Sequence, residues 1–329
     1  MNNAFVTAKE LAEHLEGNVL GDIDKKIYSI ALMRDSTEES LTYVPSKSID
    51  DIENIKAGVI LTRASIGLPL HRTYIVTRHE PYMLLAKTIN FLINKGLYCT
   101  QSISLPIIAD NADIAHNATI GNGTAIGNMT IISPGVVIGE NVIIGSGCLI
   151  GANTVIGSNT VIEDNVSIGS CCSIGTENFE YCKENRSWSK IPAIGNVYIH
   201  NNVIIGGNVV IEKGTIGITD IGAYTQICSL VHIAHEARVG INCHIVSGTA
   251  LAGWCEIGNN VDIYAQSGVS NYVKVGDNAV LMARSAADKS IKENTVVSGF
   301  PAREHTKEMR FQAFLRMLFR KSTKGCELK

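Results

Sequence analysis

Isoleucine recurs at every sixth position from Ile108 through Ile114, Ile120, Ile126, Ile132, Ile138, Ile144, Ile150, Ile156, Ile162 and Ile168 to Ile174, without exception. A second run with the same step starts at Ile221 and passes through Ile227, Ile233, Val239, Ile245, Leu251, Ile257, Ile263, Val269 and Val275 to Leu281. Ile199, Ile205 and Ile211 form a shorter run between them, and the step from Ile211 to Ile221 is ten, six plus an insertion of four. Neither the 3.6-residue helical period nor the two-residue alternation of a half-buried strand sustains a period of six over this length. A fixed repeat that cannot bury its apolar residue alone stacks into a solenoid. Three sixes make one triangular coil of eighteen residues. Coils stacked at the strand-pair spacing, about nine of them, give a prism roughly 40 Å long. Glycine after the apolar position, as in IGNGTAIGN and IGSGCLIG, supplies the tight corner between very short strands.

The expected class is therefore mainly β: a parallel β-helix of hexapeptide repeats over residues 103–298, between a small α/β domain and a helical extension. In the first domain, residues 1–102, Thr7 and Glu10 have capping-box spacing, and Leu11, His14 and Leu15 follow at helical intervals. AGVILTR and TYIVTR read as short strands, and EPYMLLAKTINFL begins with a proline suited to a first helical turn. One interruption, residues 175–193, breaks the repeat and holds Phe179, Tyr181 and Trp188; loops of this length are more often functional than incidental. In the extension, residues 299–329, Phe311, Phe314, Leu315 and Leu318 share a helical face with Arg316 and Arg320 opposite. From Lys307 onward seven Lys or Arg stand against two Glu, which is either a solvated helix face or a dock for an acidic partner.

In a chain of 329 residues a formal charge of -3 leaves no global basic surplus for nucleic acid. The nine cysteines are odd in number, include the adjacent Cys171 and Cys172, and lack CxxC pairs, as expected of a reducing cytosol. The start, MNNAFVTAKELAEHLEG, carries acids without an apolar core of signal-peptide length. No run of eighteen apolar residues predicts a transmembrane segment, so a cytoplasmic protein is expected.

Residues eighteen apart are vertical neighbours in such a prism. His235 lies two places after Ile233, and Gly253 two places after Leu251, one coil above. A general base and a backbone N–H therefore face one cleft, the two elements acyl transfer needs: a proton acceptor for the incoming amine or hydroxyl, and a donor where charge grows on the carbonyl oxygen. The alternative for His235 is a plain hydrogen-bonding role in the scaffold. His232 and His244 raise the option of a metal site, but no cluster of Cys, Asp or Glu completes a ligand set, and no metal or redox cofactor is expected. No phosphate-binding or dinucleotide-binding glycine fingerprint joins a strand to a helix.

Almost end to end, the chain resembles the UDP-3-O-(3-hydroxyacyl)glucosamine N-acyltransferases of lipid A synthesis. The resemblance rests on LTYVPSKSIDDIENIKAGVIL, WSKIPAIGNVYIHNNVIIGGNVVIEKGT, VHIAHEARVG and SGFPAREH. It implies a left-handed β-helix, a homotrimer with active sites between subunits, and transfer of a 3-hydroxyacyl chain from acyl carrier protein to the 2-amino group of a UDP-linked, 3-O-acylated glucosamine. His235 matches the family's catalytic base and Gly253 its oxyanion glycine. Arg316 and Arg320, at the end where family members receive the acidic carrier protein, are the expected contacts.

Other positions depart from the family. Glu236 stands for an asparagine after the histidine, Cys228 and Ser229 for an Asp-Asn pair, and Tyr272 for a second histidine two coils up. Glu236 and Tyr272 are expected on the substrate wall. Tyr43 matches one of two aromatics that sandwich uracil, whereas Ser46 and Ile49 replace the asparagine and the second aromatic; Tyr43 is either a base-stacking or a core residue. These changes leave room for another acyl group or nucleotide amino sugar. A β-helix that binds without turnover and a γ-carbonic-anhydrase-like metal enzyme are the readings from other classes.

Overall fold

The computed structural model describes residues 4–44, 55–63, 68, 71–79, 81–98, 103–184 and 186–324. They form two compact units: one of Met1–Gln101, Glu177–Gly195 and Gly214–Gly217, the other of Ser102–Thr176, Asn196–Lys213 and Ile218–Lys329.

The second unit is a left-handed parallel β-helix. Most of its strands are two residues long, and they line up in sheets of nine, nine and eleven strands. In most of the two-residue strands the second residue is the isoleucine of the repeat, or its Val or Leu equivalent, and it points into one continuous apolar core. Register follows the repeat: Ile126 pairs with Ile144, and Ile132 with Ile150. Where the repeat is broken the vertical step lengthens, to 37 residues between Asp164 and Asn201 and 22 between Gly207 and Ser229. The coil nevertheless closes, because Val161–Ile162 pairs with Tyr198–Ile199.

Corners carry the polar bookkeeping. Thr124, Thr130, Thr154 and Thr225 are buried there, and each hydroxyl donates to a carbonyl oxygen at 2.7–2.9 Å. Each also accepts an N–H from the coil above, so these four buried hydroxyls both donate and accept. The other half of the corner needs a left-handed residue, and asparagine usually supplies it, as at Asn141, Asn159, Asn202 and Asn260. The last coil ends in an antiparallel return of Arg303–Glu304 on Val296–Ser298, followed by the helix His305–Lys324. Phe311, Phe314, Leu315 and Leu318 are exposed on that helix in the single chain. Among the described residues no helix is long and apolar enough to cross a membrane.

The first unit has a five-stranded sheet in the order Asn18–Leu20, Thr73–Val76, Val59–Thr62, Ser40–Val44, Ser29–Ile30. Its first pair is antiparallel and the rest are parallel. The helix Ala8–His14 starts with the expected reciprocal cap, Thr7 Oγ1 accepting from the Glu10 N–H and the Glu10 carboxylate from the Thr7 N–H. Leu11, Leu15, Leu41, Val59, Leu61, Ile75, Leu84 and Leu92 make the core.

The interruption at 175–193 is not an open loop. Tyr181–Glu184 and Ser187–Lys190 pair as an antiparallel hairpin. Cys182 and Ile191 pack with Ala86 and Ile89 of the helix Pro81–Asn94, which places the hairpin in the first unit. The four-residue insertion, Gly214–Gly217, joins it: Asn178 Nδ2 donates to Thr215 Oγ1 at 2.6 Å. Phe179 and Trp188 remain exposed.

Candidate active site

His235 occupies a corner of the β-helix between His232–Ile233 and Arg238–Val239. Its side chain is nearly buried, at 10% exposure, and Nδ1 lies 2.6 Å from Oε2 of a fully buried Glu236. A carboxylate only accepts, so Nδ1 carries the hydrogen and Nε2 is left as the basic nitrogen. Glu236 is itself held: its N–H donates to the buried Thr219 Oγ1 at 2.9 Å. A second buried carboxylate, Glu212, accepts the His235 N–H at 3.3 Å and lies 3.4 Å from Nε2 of the half-exposed His232.

Gly253 sits over the imidazole as the eighteen-residue step requires. A Cβ on it would fall 2.7 Å from both Cε1 and Nε2 of His235, so only glycine fits there. Among the described residues no atom accepts a hydrogen bond from its N–H, whereas the next residue, Trp254, donates to the His235 carbonyl at 3.1 Å. Corner positions that hold asparagine lower in the helix are Glu236, Trp254 and Tyr272 here, all left-handed with φ of 53–65°. Bulky side chains in this region cost about 1–3 kcal/mol each, an expense that clusters at functional sites. The Trp254 ring stands perpendicular to the His235 ring at 6.4 Å and stacks on Tyr272 at 6.1 Å.

The structure thus brings together His235, Gly253, Glu236 and, one coil further, Tyr272. Glu236, expected on the substrate wall, is buried in the single chain. Its carboxylate is turned inward against His235, because the corner geometry points the side chain at the adjacent imidazole. Cys228 belongs to another corner and accepts a hydrogen bond from the Ser247 hydroxyl at 2.9 Å, which holds its thiol below the ordinary value. Ser229 Oγ accepts the Gly207 N–H. Tyr43 is half-buried against the core of the first unit; Ser46 and Ile49 lie outside the described residues. Arg316 and Arg320 are exposed on the C-terminal helix. No group of three or more His, Cys, Asp and Glu among the described residues is placed to hold a metal ion. Glu212 and Trp254 escaped the sequence reading. The signal for Glu212 was its position after Ile211, just before the register break; that for Trp254 was an aromatic at a corner where asparagine is usual.

Residues 117–151 match the bacterial transferase hexapeptide family (six repeats). The UDP-3-O-acylglucosamine N-acyltransferase of Dechloromonas aromatica is 40% identical over 259 residues, covering 77% of this chain and 74% of its own. The enzyme of the same name from Fusobacterium nucleatum is 42% identical over 238 residues, 71% of each chain. The crystal structure of Francisella novicida UDP-N-acetylglucosamine acyltransferase superposes with a TM-score of 0.50 at 27% identity, over 63% of this chain and 73% of that one. The repeat fold together with these relatives defines a hexapeptide-repeat acyltransferase. Within that class, the chain belongs to the UDP-3-O-acylglucosamine N-acyltransferase family.

Proposed function

We propose that this protein moves a 3-hydroxyacyl chain from acyl carrier protein to the 2-amino group of UDP-3-O-acylglucosamine in lipid A biosynthesis, with His235 as general base. The observation that carries this reading is the His235 imidazole, tethered through Nδ1 to Glu236, with Gly253 directly over its other nitrogen. As the amine nitrogen attacks the thioester carbon, Nε2 takes its proton, and the negative charge that develops on the carbonyl oxygen is met by the Gly253 N–H. Collapse of the tetrahedral intermediate breaks the C–S bond, and the imidazolium returns its proton to the departing thiolate. No metal or redox cofactor takes part in this scheme.

Tyr272 belongs to the substrate wall, and Tyr43 and Ser46 of the first unit contact the uridine. Arg316 and Arg320 face the acidic carrier protein, a role supported by their exposure on a helix with a surplus of basic residues. The uncovered Phe311, Phe314, Leu315 and Leu318 support assembly as a homotrimer, since an apolar stripe of this kind seeks a partner surface. A cytoplasmic location follows from the carrier-protein donor.

His235→Ala tests the mechanism. Transfer from acyl carrier protein to the UDP-amino sugar is expected to fall to background while far-UV circular dichroism and oligomeric state stay unchanged; turnover near wild type would remove His235 from the chemistry. A second reading, a related acyl donor or nucleotide amino sugar, is favoured by the departures at Cys228, Glu236, Tyr272 and Ile49. Mass spectrometry of products from a panel of donors and acceptors separates the two.

A further inference from the structure

We infer that Trp254, braced by Tyr272, is the platform on which the pyranose ring of the acceptor sugar rests, and so a specificity-determining residue for the acceptor. This rests on the acyl-transfer reading of His235. Three observations carry it. Trp254 and Tyr272 are stacked one coil apart, with ring planes 18° from parallel, and Tyr272 is 61% exposed, so the pair is a partly open aromatic surface rather than core. Trp254 directly follows Gly253, and its ring is 6.4 Å from the His235 ring. Both residues occupy left-handed corners where the lower coils, at Asn141 and Asn159, carry asparagine, so the backbone bears strain to present two aromatic faces at this height and no other on this corner.

Connectivity selects the occupant. An amine within hydrogen-bond reach of His235 Nε2 is bonded to C2 of its sugar, which brings the pyranose ring within a ring's width of the indole. The uracil is separated from that carbon by a ribose and two phosphates. A UDP-linked glucosamine ring in its chair form carries its C2 to C5 substituents equatorially and its nucleotide axially on C1, so the face opposite the nucleotide presents the axial C–H bonds of C2 and C4. Those hydrogens are weakly positive, and the negative face of an indole attracts them. The contact would fix the ring, and with it the direction of the amine lone pair.

The test uses the full-length chain with two readouts. Trp188, exposed on the hairpin, is the only other tryptophan, so Trp188→Phe makes Trp254 the sole indole reporter. Titration with UDP-3-O-acylglucosamine is expected to change Trp254 emission, and titration with UDP alone to leave it unchanged. An equal response to UDP, or no response at acceptor concentrations that saturate turnover, overturns the platform. In steady-state kinetics Trp254→Asn, a residue the corner accepts, is expected to raise the acceptor KM about tenfold while the acyl-donor KM stays put. Trp254→Phe should recover most of the loss. A rise in the donor KM instead, or no change in either, overturns the assignment. Sugar-specific quenching without turnover would sink the acyl-transfer reading and spare the platform; turnover with a silent Trp254 would do the reverse.

Discussion

The buried Glu236 carboxylate sits 2.6 Å from Nδ1 of His235, although the two residues are adjacent in sequence and Glu236 has a left-handed backbone, φ 53°. The left-handed turn allows this. It folds the Glu236 side chain back against its neighbour's ring, so one corner sets an imidazole and a carboxylate against each other. For Glu236→Ala we expect kcat to fall about a hundredfold, the scale of a positioned base, with substrate KM values little changed. Glu236→Gln, which can still accept from Nδ1, should retain more activity than alanine. A KM effect without a kcat effect would place Glu236 on the substrate instead.

Gly253→Ala forces a methyl group to within 2.7 Å of the imidazole. Overpacking of this kind costs about 1–3 kcal/mol. The expected outcome is a small loss of thermal stability and a large loss of turnover, because the ring moves off the line from Nε2 to the amine. Thermal melts and kcat measured on one preparation distinguish this from general unfolding.

Core and corner respond differently to truncation. Ile150 is fully buried in the β-helix, and Ile150→Ala should lower unfolding free energy by about 2–5 kcal/mol. Asn159, at φ 61°, should tolerate glycine, whereas Asn159→Ala should cost about 1 kcal/mol. Denaturant titrations of the three variants would check the ordering.

Glu163 accepts a hydrogen bond from the Tyr198 hydroxyl at 2.6 Å and another from the Asn201 N–H, and these hold its carboxyl below the ordinary value of 4.5. A lowered folded value means that the ionised form stabilises the fold. That contribution is complete above pH 4.5 and is lost as the pH falls through the folded value. Glu163→Gln should therefore melt below wild type at neutral pH, and the gap should close in acid. A gap that persists unchanged below the folded value would contradict the linkage.

Thiol reactivity should sort by position. Burial pushes Cys255 up to about 12 and also raises Cys148, Cys172 and Cys243, whereas the Ser247 hydroxyl lowers the exposed Cys228. Native-state alkylation with peptide mapping is expected to label Cys228 early and Cys255 last, and Ser247→Ala should slow labelling at Cys228.

Periodicity alone determined the β-helix, its core residues and the stacking of Gly253 on His235, because each coil repeats the same eighteen-residue path and offset within the repeat becomes height and direction in space. That logic ends wherever the count is broken. The nineteen-residue interruption and the four-residue insertion are paired with the first unit through Cys182, Ile191 and Thr215, contacts between segments with no common period. Glu212 reaches His235 across the second of these breaks, where spacing no longer measures height. Whether Glu236 faced solvent or the imidazole, and whether Trp254 met Tyr272, depended on side-chain rotation at left-handed corners. Only the tertiary structure decides that, since the neighbours that set each rotamer come from the coils above and below.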